Sequence, residues 1–259
     1  MKFTIVIPAR YQSERMPMKP LVDINGKTML QRVWERALLS SAQEVIIATD
    51  HHDIQNVAKG FGAEVCMTKS DHESGTDRLQ EVASIFGYDE SRIIVNVQGD
   101  EPLIPPTVIE QVAEILLQNK AVNVATLSAP IDDLEELLNP NIVKIVKSND
   151  QFALLFSRAP IPWPRSDFAK DKKILTEPGL SSRHIGLYAY RVKTLNDFVK
   201  WPTSPIERLE RLEQLRFLHH GVKIMVHEAK EFVPEGVDTV TDLKRVREIF
   251  SKNDCHSDF

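Results

Sequence analysis

Residues 8–20 read Pro8-Ala9-Arg10-Tyr11-Gln12-Ser13-Glu14-Arg15-Met16-Pro17-Met18-Lys19-Pro20, so Arg10, Arg15 and Lys19 place three cations on one short segment. Guanidinium and ammonium groups fixed on a loop bind phosphate oxygens and stabilise a departing polyphosphate. A solvated basic loop carries the same residue types, and only the position of the segment in a fold separates the two. Asp100, in Gln98-Gly99-Asp100-Glu101-Pro102, is a hard oxygen ligand of the kind magnesium takes, with one or two carboxylates beside phosphate oxygens. Capping of the turn or of the following helix is its competing role. Val237-Asp238-Thr239 offers a second carboxylate, although Thr239 with Asp242 also reads as a helix capping box. Ser74-Gly75-Thr76-Asp77-Arg78 opens a helical pattern whose amides face a base or phosphate, or are simply capped. Farther on, Phe156-Ser157-Arg158, Arg183-His184-Ile185-Gly186-Leu187-Tyr188 and Glu213-Gln214 set polar side chains beside apolar ones. Such groups line a ligand site, or they satisfy one another inside a core.

The elements that must carry these residues follow from hydrophobic period. Residues 3–7 form a short, β-branched apolar run that stops at Pro8, as expected of a strand buried on both faces of a parallel sheet. Arg10 then falls just past its carboxyl end. Met29, Leu30, Val33, Trp34, Ala37 and Leu38 recur at helical spacing, and 45–48 is a second buried strand. The alternation continues with a helix over 53–60, a strand over 63–67, a helix over 76–86, a strand over 93–97, a helix over 106–119 and a strand over 122–128. That rhythm predicts a doubly wound α/β sheet with ligands at the carboxyl ends of its strands, which would bring Arg10 and Asp100 into one crevice. Beyond Pro130, runs at 142–146 and 152–156 flank Ser148-Asn149-Asp150 and read as an antiparallel hairpin. A proline- and charge-rich stretch over 160–182 reads as a surface loop. A strand over 185–191, one helix over 206–219 carrying Leu209, Leu212, Leu215 and Leu218, a strand over 222–228 and a helix over 240–251 complete the pattern.

Two familiar phosphate signatures fail. Gly60 and Gly62 are followed by Val65 where a dinucleotide fingerprint needs glycine, and they follow a helical segment rather than the first strand. Gly26-Lys27-Thr28 resembles the end of a P-loop, but Leu21 stands where the opening glycine belongs, so an ordinary turn is expected at Gly26. With 259 residues, 42% hydrophobic and 27% charged, the chain can bury a full core, and a net charge of only −5 gives no reason to expect a nucleic-acid or membrane surface. No apolar run approaches the roughly 18 residues that span a bilayer. Two cysteines, Cys66 and Cys255, and an opening without a signal-peptide pattern lead us to expect a cytoplasmic protein.

Taken in order, these segments resemble the 3-deoxy-manno-octulosonate cytidylyltransferases, the CMP-KDO synthetases, from Phe3 to about Phe250. The resemblance rests on Ile7-Pro8-Ala9-Arg10, residues 19–27, Ala48-Thr49-Asp50, residues 71–79 and 95–105, and Asn139-Pro140-Asn141. It continues through Phe156-Ser157-Arg158-Ala159, residues 183–191 and 212–216, and Gly236-Val237-Asp238-Thr239. It implies a Rossmann-like nucleotidyltransferase fold, with a mostly parallel central sheet and an antiparallel hairpin serving as lid and dimerisation element. One domain over 1–250 would hold acceptor-sugar and dimer elements within 130–228, followed by a polar tail over 251–259. The implied reaction is CTP plus KDO giving CMP-KDO and pyrophosphate for lipopolysaccharide synthesis, in a homodimer that binds neither nucleic acid nor membrane.

By the same resemblance, Arg10, Arg15 and Lys19 contact the triphosphate, with Arg10, Lys19 and Asp100 central to catalysis. Asp100 and Asp238 hold Mg²⁺. Ser74, Gly75 and Arg78 lie near the cytidine, and Gln98, placed with both substrates, joins Arg158, His184, Tyr188, Glu213 and Gln214 around the acidic sugar. Activation of another acid sugar of the sialic-acid type is the nearest alternative, and a weakly active nucleotide-binding regulatory module the next. The phosphate loop departs from the family, with Glu14, Met16 and Met18 where a hydroxyl residue, a leucine and a glycine are usual. Glycine at such a place allows a positive φ or close approach to phosphate, so Met18 is the position where strain is expected.

Overall fold

A computed structural model of the chain describes residues 3–11, 16, 18–72, 74–168 and 179–254. Its first half alternates strand and helix: β1 (Phe3–Ala9), a 3₁₀ turn (Lys19–Leu21), the two-residue strands β2 (Asp23–Ile24) and β3 (Lys27–Thr28), α1 (Met29–Leu38), β4 (Glu44–Thr49), α2 (His52–Gly60), β5 (Glu64–Met67), α3 (Gly75–Ile85), β6 (Ile93–Asn96), α4 (Pro106–Gln118) and β7 (Val124–Ile131). The second half runs α5 (Leu134–Leu138), β8 (Lys144–Lys147), β9 (Ala153–Ser157), α6 (Arg165–Phe168), β10 (Ser181–Arg191), α7 (Val192–Phe198), α8 (Pro205–Glu210), α9 (Gln214–His219), β11 (Ile224–Glu228) and α10 (Val240–Asp254).

The main sheet has the order β11-β7-β10-β6-β1-β4-β5. Pairing is parallel between β1 and β4, β1 and β6, β4 and β5, and β11 and β7. Strand β10 runs antiparallel to both β6 and β7, between which it is inserted, and it also pairs with β8 of the β8–β9 hairpin. The result is the expected mixed α/β sheet, mostly parallel with an antiparallel part. One apolar cluster covers each face: Ile5, Ile7, Val33, Val95 and Val112 belong to the first, and Val6, Ile46, Leu79, Val82 and Phe217 to the second. Alternate residues of β1 thus enter opposite cores, as a strand buried on both faces requires.

Several expectations change in detail. Strand β1 continues through Pro8 to Ala9, because its pairing to β6 ends at Val6 and, among the described residues, β4 alone forms a ladder with the last ones, where a missing N–H is tolerated. The expected helix over 206–219 is two helices, α8 and α9, broken at Arg211, whose φ is 52°. A Ser204–Glu207 capping box starts α8, and the Glu207 carboxylate also accepts from buried Arg216 of α9 at 2.6 Å, which clamps the two short helices together. Within the stretch expected as loop, α6 and the first residues of β10 are ordered secondary structure. The turn at Gly26 joins β2 to β3 with φ of 80°, a conformation open to glycine.

Candidate active site

Strands β1 and β6 end side by side, and the chain there comes unusually close. A Cβ added to Gly99 would stand 2.9 Å from the Pro8 carbonyl oxygen, so only glycine lets the Gln98-Gly99-Asp100 turn cross the end of β1. The segment 236–238 closes over this turn. Val237 donates its backbone N–H to the Asp100 carbonyl at 2.8 Å, and a Cβ on Gly236 would meet that same oxygen at 3.2 Å. Val237 is buried with Ile24, Met29, Leu243 and Val246, which ties the segment to α1, β2 and α10. Asp238 is therefore delivered to Asp100 by main-chain packing rather than by its own charge.

Between the two carboxylates lies Lys19. Its Nζ donates to Asp100 Oδ2 at 2.6 Å and to Asp238 Oδ1 at 2.8 Å. Burial alone would lower the ammonium pKa, but the nearby charges of Asp100 and Asp238 and their hydrogen bonds outweigh it and raise the value, so Lys19 is a fixed cation. The preceding residue, Met18, has φ 54° and ψ 28°, the left-handed conformation expected to strain a non-glycine residue there. Arg10 follows the last residue of β1. Arg15 and Glu14 lie outside the described residues.

Two convergent carboxylates with one cation between them are a donor set suited to magnesium that takes its remaining ligands from phosphate and water. Among the described residues no group of three or more His, Cys, Asp and Glu side chains forms a metal cage, so a protein-only site is not what the geometry offers. Glu101, next to Asp100, buries an Oε2 that has no hydrogen-bond partner among the described residues. Burial first, and the Asp100 charge second, push its pKa up to about 8, with Lys19 opposing.

From this head group a crevice of about 510 Å³ runs along β10, lined by Asp100, Asp238, Asn139, Asn141, Arg183 and His184 among others. The Asn139-Pro140-Asn141 turn is held from beneath by buried Lys144, which donates to the Asn139 carbonyl at 2.8 Å and to the Ile142 carbonyl at 2.5 Å. Arg158, expected at the sugar, donates to the Pro140 carbonyl at 3.0 Å and the Glu210 carbonyl at 2.8 Å, so it braces the same turn. His184 sits edge-on to Phe156, ring centroids 5.0 Å apart, and against Tyr188 at 5.3 Å. Burial of its ring pushes the His184 pKa down to about 3.

The remaining expected residues form a second group at the N-terminus of α3. Ser74 caps this helix in a reciprocal box with Asp77, and the Thr76 hydroxyl donates to Glu213 Oε1. Burial raises the pKa of Glu213, with the Thr76 and Ser74 hydroxyls opposing that rise. Gln214 Nε2, the Tyr188 hydroxyl and Asn96 Oδ1 are buried without hydrogen-bond partners among the described residues. Tyr188 and Asn96 face each other across β10 and β6, and Asn96 Nδ2 lies 4.0 Å from a Cβ built on Gly75. The Tyr188–His184 contact links this group to the crevice, while Gln98 follows the end of β6 beside Asp100. Arg78 is not brought to the crevice: it is fully buried, donating to Asp50 Oδ2 at 2.8 Å and to Thr68 Oγ1. Sequence reasoning passed over Asn96, Thr76, Thr126 and Glu101, although a polar residue inside a buried strand run, as at Asn96 and Thr126, was the available sign.

A lysine and two aspartates gathered at the carboxyl end of a largely parallel sheet, opening on a polar crevice, suit the handling of phosphate, and similarity to known proteins places the chain among the nucleotidyltransferases. The profile of the family described as Cytidylyltransferase matches residues 4–224. A 3-deoxy-manno-octulosonate cytidylyltransferase of Cellvibrio japonicus (strain Ueda107) is 57% identical over 248 residues, covering 95% of this chain and 97% of that protein. The enzyme of the same name from Vibrio vulnificus (strain CMCP6) is 53% identical over 251 residues, covering 97% and 99%. A solved structure of CMP:2-keto-3-deoxy-manno-octonic acid synthetase complexed with CTP superposes with a TM-score of 0.88 at 41% identity, covering 98% of this chain and 100% of that one. The chain belongs to the cytidylyltransferase family, and within it to the 3-deoxy-manno-octulosonate cytidylyltransferases.

Proposed function

We propose that this enzyme transfers CMP from CTP to 3-deoxy-manno-octulosonate, releasing pyrophosphate. The observation that carries the reading is the Lys19–Asp100–Asp238 cluster at the mouth of the crevice, in a chain whose relatives carry that activity in their names. The anomeric hydroxyl attacks the α-phosphorus, an O–P bond forms as the bond to the oxygen bridging to the β-phosphorus breaks, the hydroxyl proton passes to solvent water and pyrophosphate departs with the bond's electron pair. Positioning and charge stabilisation supply most of the acceleration in such a transfer. Lys19 and Arg10 hold the triphosphate and offset charge on the leaving group. Asp100 and Asp238 would hold magnesium together with phosphate oxygens, and the metal when bound supplies charge neutralisation. His184 and Tyr188, with Glu213 and Gln214 behind them, shape the acceptor side.

The enzyme would work as a homodimer in the cytoplasm. Among the described residues β9 pairs within the sheet with β8 alone, apart from a bridge between Phe152, just before it, and Met225 of β11, and Leu154 on it is 61% exposed, an edge that a second copy would cover. No described helix is long and apolar enough to cross a membrane. Pyrophosphate release by the purified chain with CTP, Mg²⁺ and a panel of acid sugars tests the reading: turnover with KDO well above that with sialic acid is expected, and the reverse order overturns it. Sedimentation showing only a 29.5 kDa monomer at micromolar concentration would refute the dimer.

A further inference from the structure

We infer that Thr126, on β7, fixes which ring nitrogen His184 presents to the acceptor sugar, and that His184 therefore receives a sugar hydroxyl rather than the carboxylate. The inference rests on the acceptor being a polyhydroxylated sugar acid, as proposed above.

Strand β10 has a register irregularity between Ile185 and Tyr188, opposite Leu127 and Thr126 of β7. There the Thr126 hydroxyl, fully buried, lies 2.8 Å from the Leu187 carbonyl, 3.0 Å from the Ile185 carbonyl and 3.3 Å from His184 Nε2. A hydroxyl has one proton and two lone pairs, whereas a carbonyl oxygen can only accept. Both carbonyls are nearer than the ring nitrogen, so the threonine proton goes to a carbonyl and a lone pair of Oγ1 is left facing Nε2. The contact is then made only if Nε2 carries hydrogen and donates. The nearby Tyr188 hydroxyl is buried without a hydrogen-bond partner among the described residues, so it does not engage Thr126 Oγ1.

The ring is neutral at physiological pH, because its burial between Phe156 and Tyr188 penalises the imidazolium. A neutral imidazole with hydrogen on Nε2 has a bare Nδ1 that can only accept. His184 lines the crevice, and its backbone N–H is held by the Val143 carbonyl at 2.8 Å, so the ring is fixed at both its stem and its inner edge. An acceptor nitrogen attracts an O–H and repels a carboxylate. Thr126 acts through His184 and is a positioning residue.

The test uses the full-length chain labelled with ¹⁵N-histidine, the His184 signal being identified by its loss in His184→Gln. In the wild type we expect one tautomer, hydrogen on Nε2 and bare Nδ1, unchanged between about pH 6 and 8. Thr126→Val, which keeps the side-chain shape, should shift hydrogen toward Nδ1. It should also raise KM for KDO roughly three- to tenfold, the value of one hydrogen bond, with KM for CTP unchanged. Thr126→Ser should restore both. Hydrogen on Nδ1 in the wild type overturns the inference even if the valine variant fails to fold, and a valine variant that changes the tautomer or KM alone breaks the link between them. Failure of the functional reading is distinguishable, because it appears as no wild-type turnover with KDO whatever the tautomer.

Discussion

Replacing Met18 by glycine isolates the contribution of backbone conformation to triphosphate binding. Met18 holds φ 54° and ψ 28°, its carbonyl accepts from Leu21 N–H at 2.8 Å, and the 3₁₀ turn so formed begins at Lys19 and aims its ammonium at Asp100 and Asp238. An L-residue in this region is disfavoured by about 1–2 kcal/mol, a penalty glycine does not carry. Glycine also gains freedom in the open loop, which opposes the benefit by about 0.4–1 kcal/mol. Met18 is 43% exposed, so part of its side chain is covered, and the loss of that cover is measured separately by Met18→Ala. A net gain of roughly 0.5–1 kcal/mol corresponds to a two- to fivefold lower KM for CTP. Steady-state pyrophosphate release against CTP concentration, at saturating KDO and Mg²⁺, measures it. Met18→Ala serves as control, since alanine keeps the φ penalty and should show no gain. An unchanged or higher KM in Met18→Gly, or an equal gain in Met18→Ala, would refute the reasoning.

Three further outcomes follow from the geometry. Asp100→Asn and Asp238→Asn should each lower turnover by at least about a hundredfold with the far-UV dichroism intact, since each removes a charge at little cost in volume; near wild-type turnover at limiting Mg²⁺ would remove that residue from the proposed metal site. Gly99→Ala places a Cβ 2.9 Å from the Pro8 carbonyl and should destabilise the fold by about 1–3 kcal/mol in urea denaturation, and an unchanged midpoint would mean that the turn relaxes freely. Glu101 has a folded pKa raised from 4.5 to about 8, so the unfolded chain gives up this proton first. The carboxyl therefore contributes stability below pH 4.5 that is lost as pH rises toward 8. Glu101→Gln in chelator-treated buffer should flatten the stability decline over that window, and an identical slope in the two proteins would sink the idea.

The parts of this fold legible in the sequence are those where one residue pattern has one structural solution. Short apolar runs alternating with helical periods at 29–38, 53–60 and 76–86 found β1, β4, β5 and β6 and the helices between them to within two residues. The direction of β10 was not legible, because a buried apolar strand reads alike whichever way it runs, and only its register with Asn96 and Thr126 reveals the reversal. Leucines at 209, 212, 215 and 218 suggested one helix, yet Leu209 is 86% exposed and Arg211 is left-handed. A period of three fits two short helices clamped by Glu207 and Arg216 as well as it fits one long helix.

For the candidate site, residue type was informative and pairing was not. Arg10, Lys19, Asp100 and Asp238 stand out as charges beside strand ends, but Lys19 meets partners 81 and 219 positions away, and no local pattern encodes that meeting. It depends on small residues whose importance is steric. Gly99 admits the crossing over Pro8, and Gly236 lets residues 236–238 lie against the Asp100 carbonyl. Without those close approaches the same charges would be separate surface groups. The Lys19 ammonium is held by charge at its tip and by a left-handed turn at its base. The tip depends on charge and therefore responds to an arriving polyanion, whereas the base depends on backbone conformation and does not. The first is visible in the residue types, and the second becomes visible only with the dihedral angles of Met18.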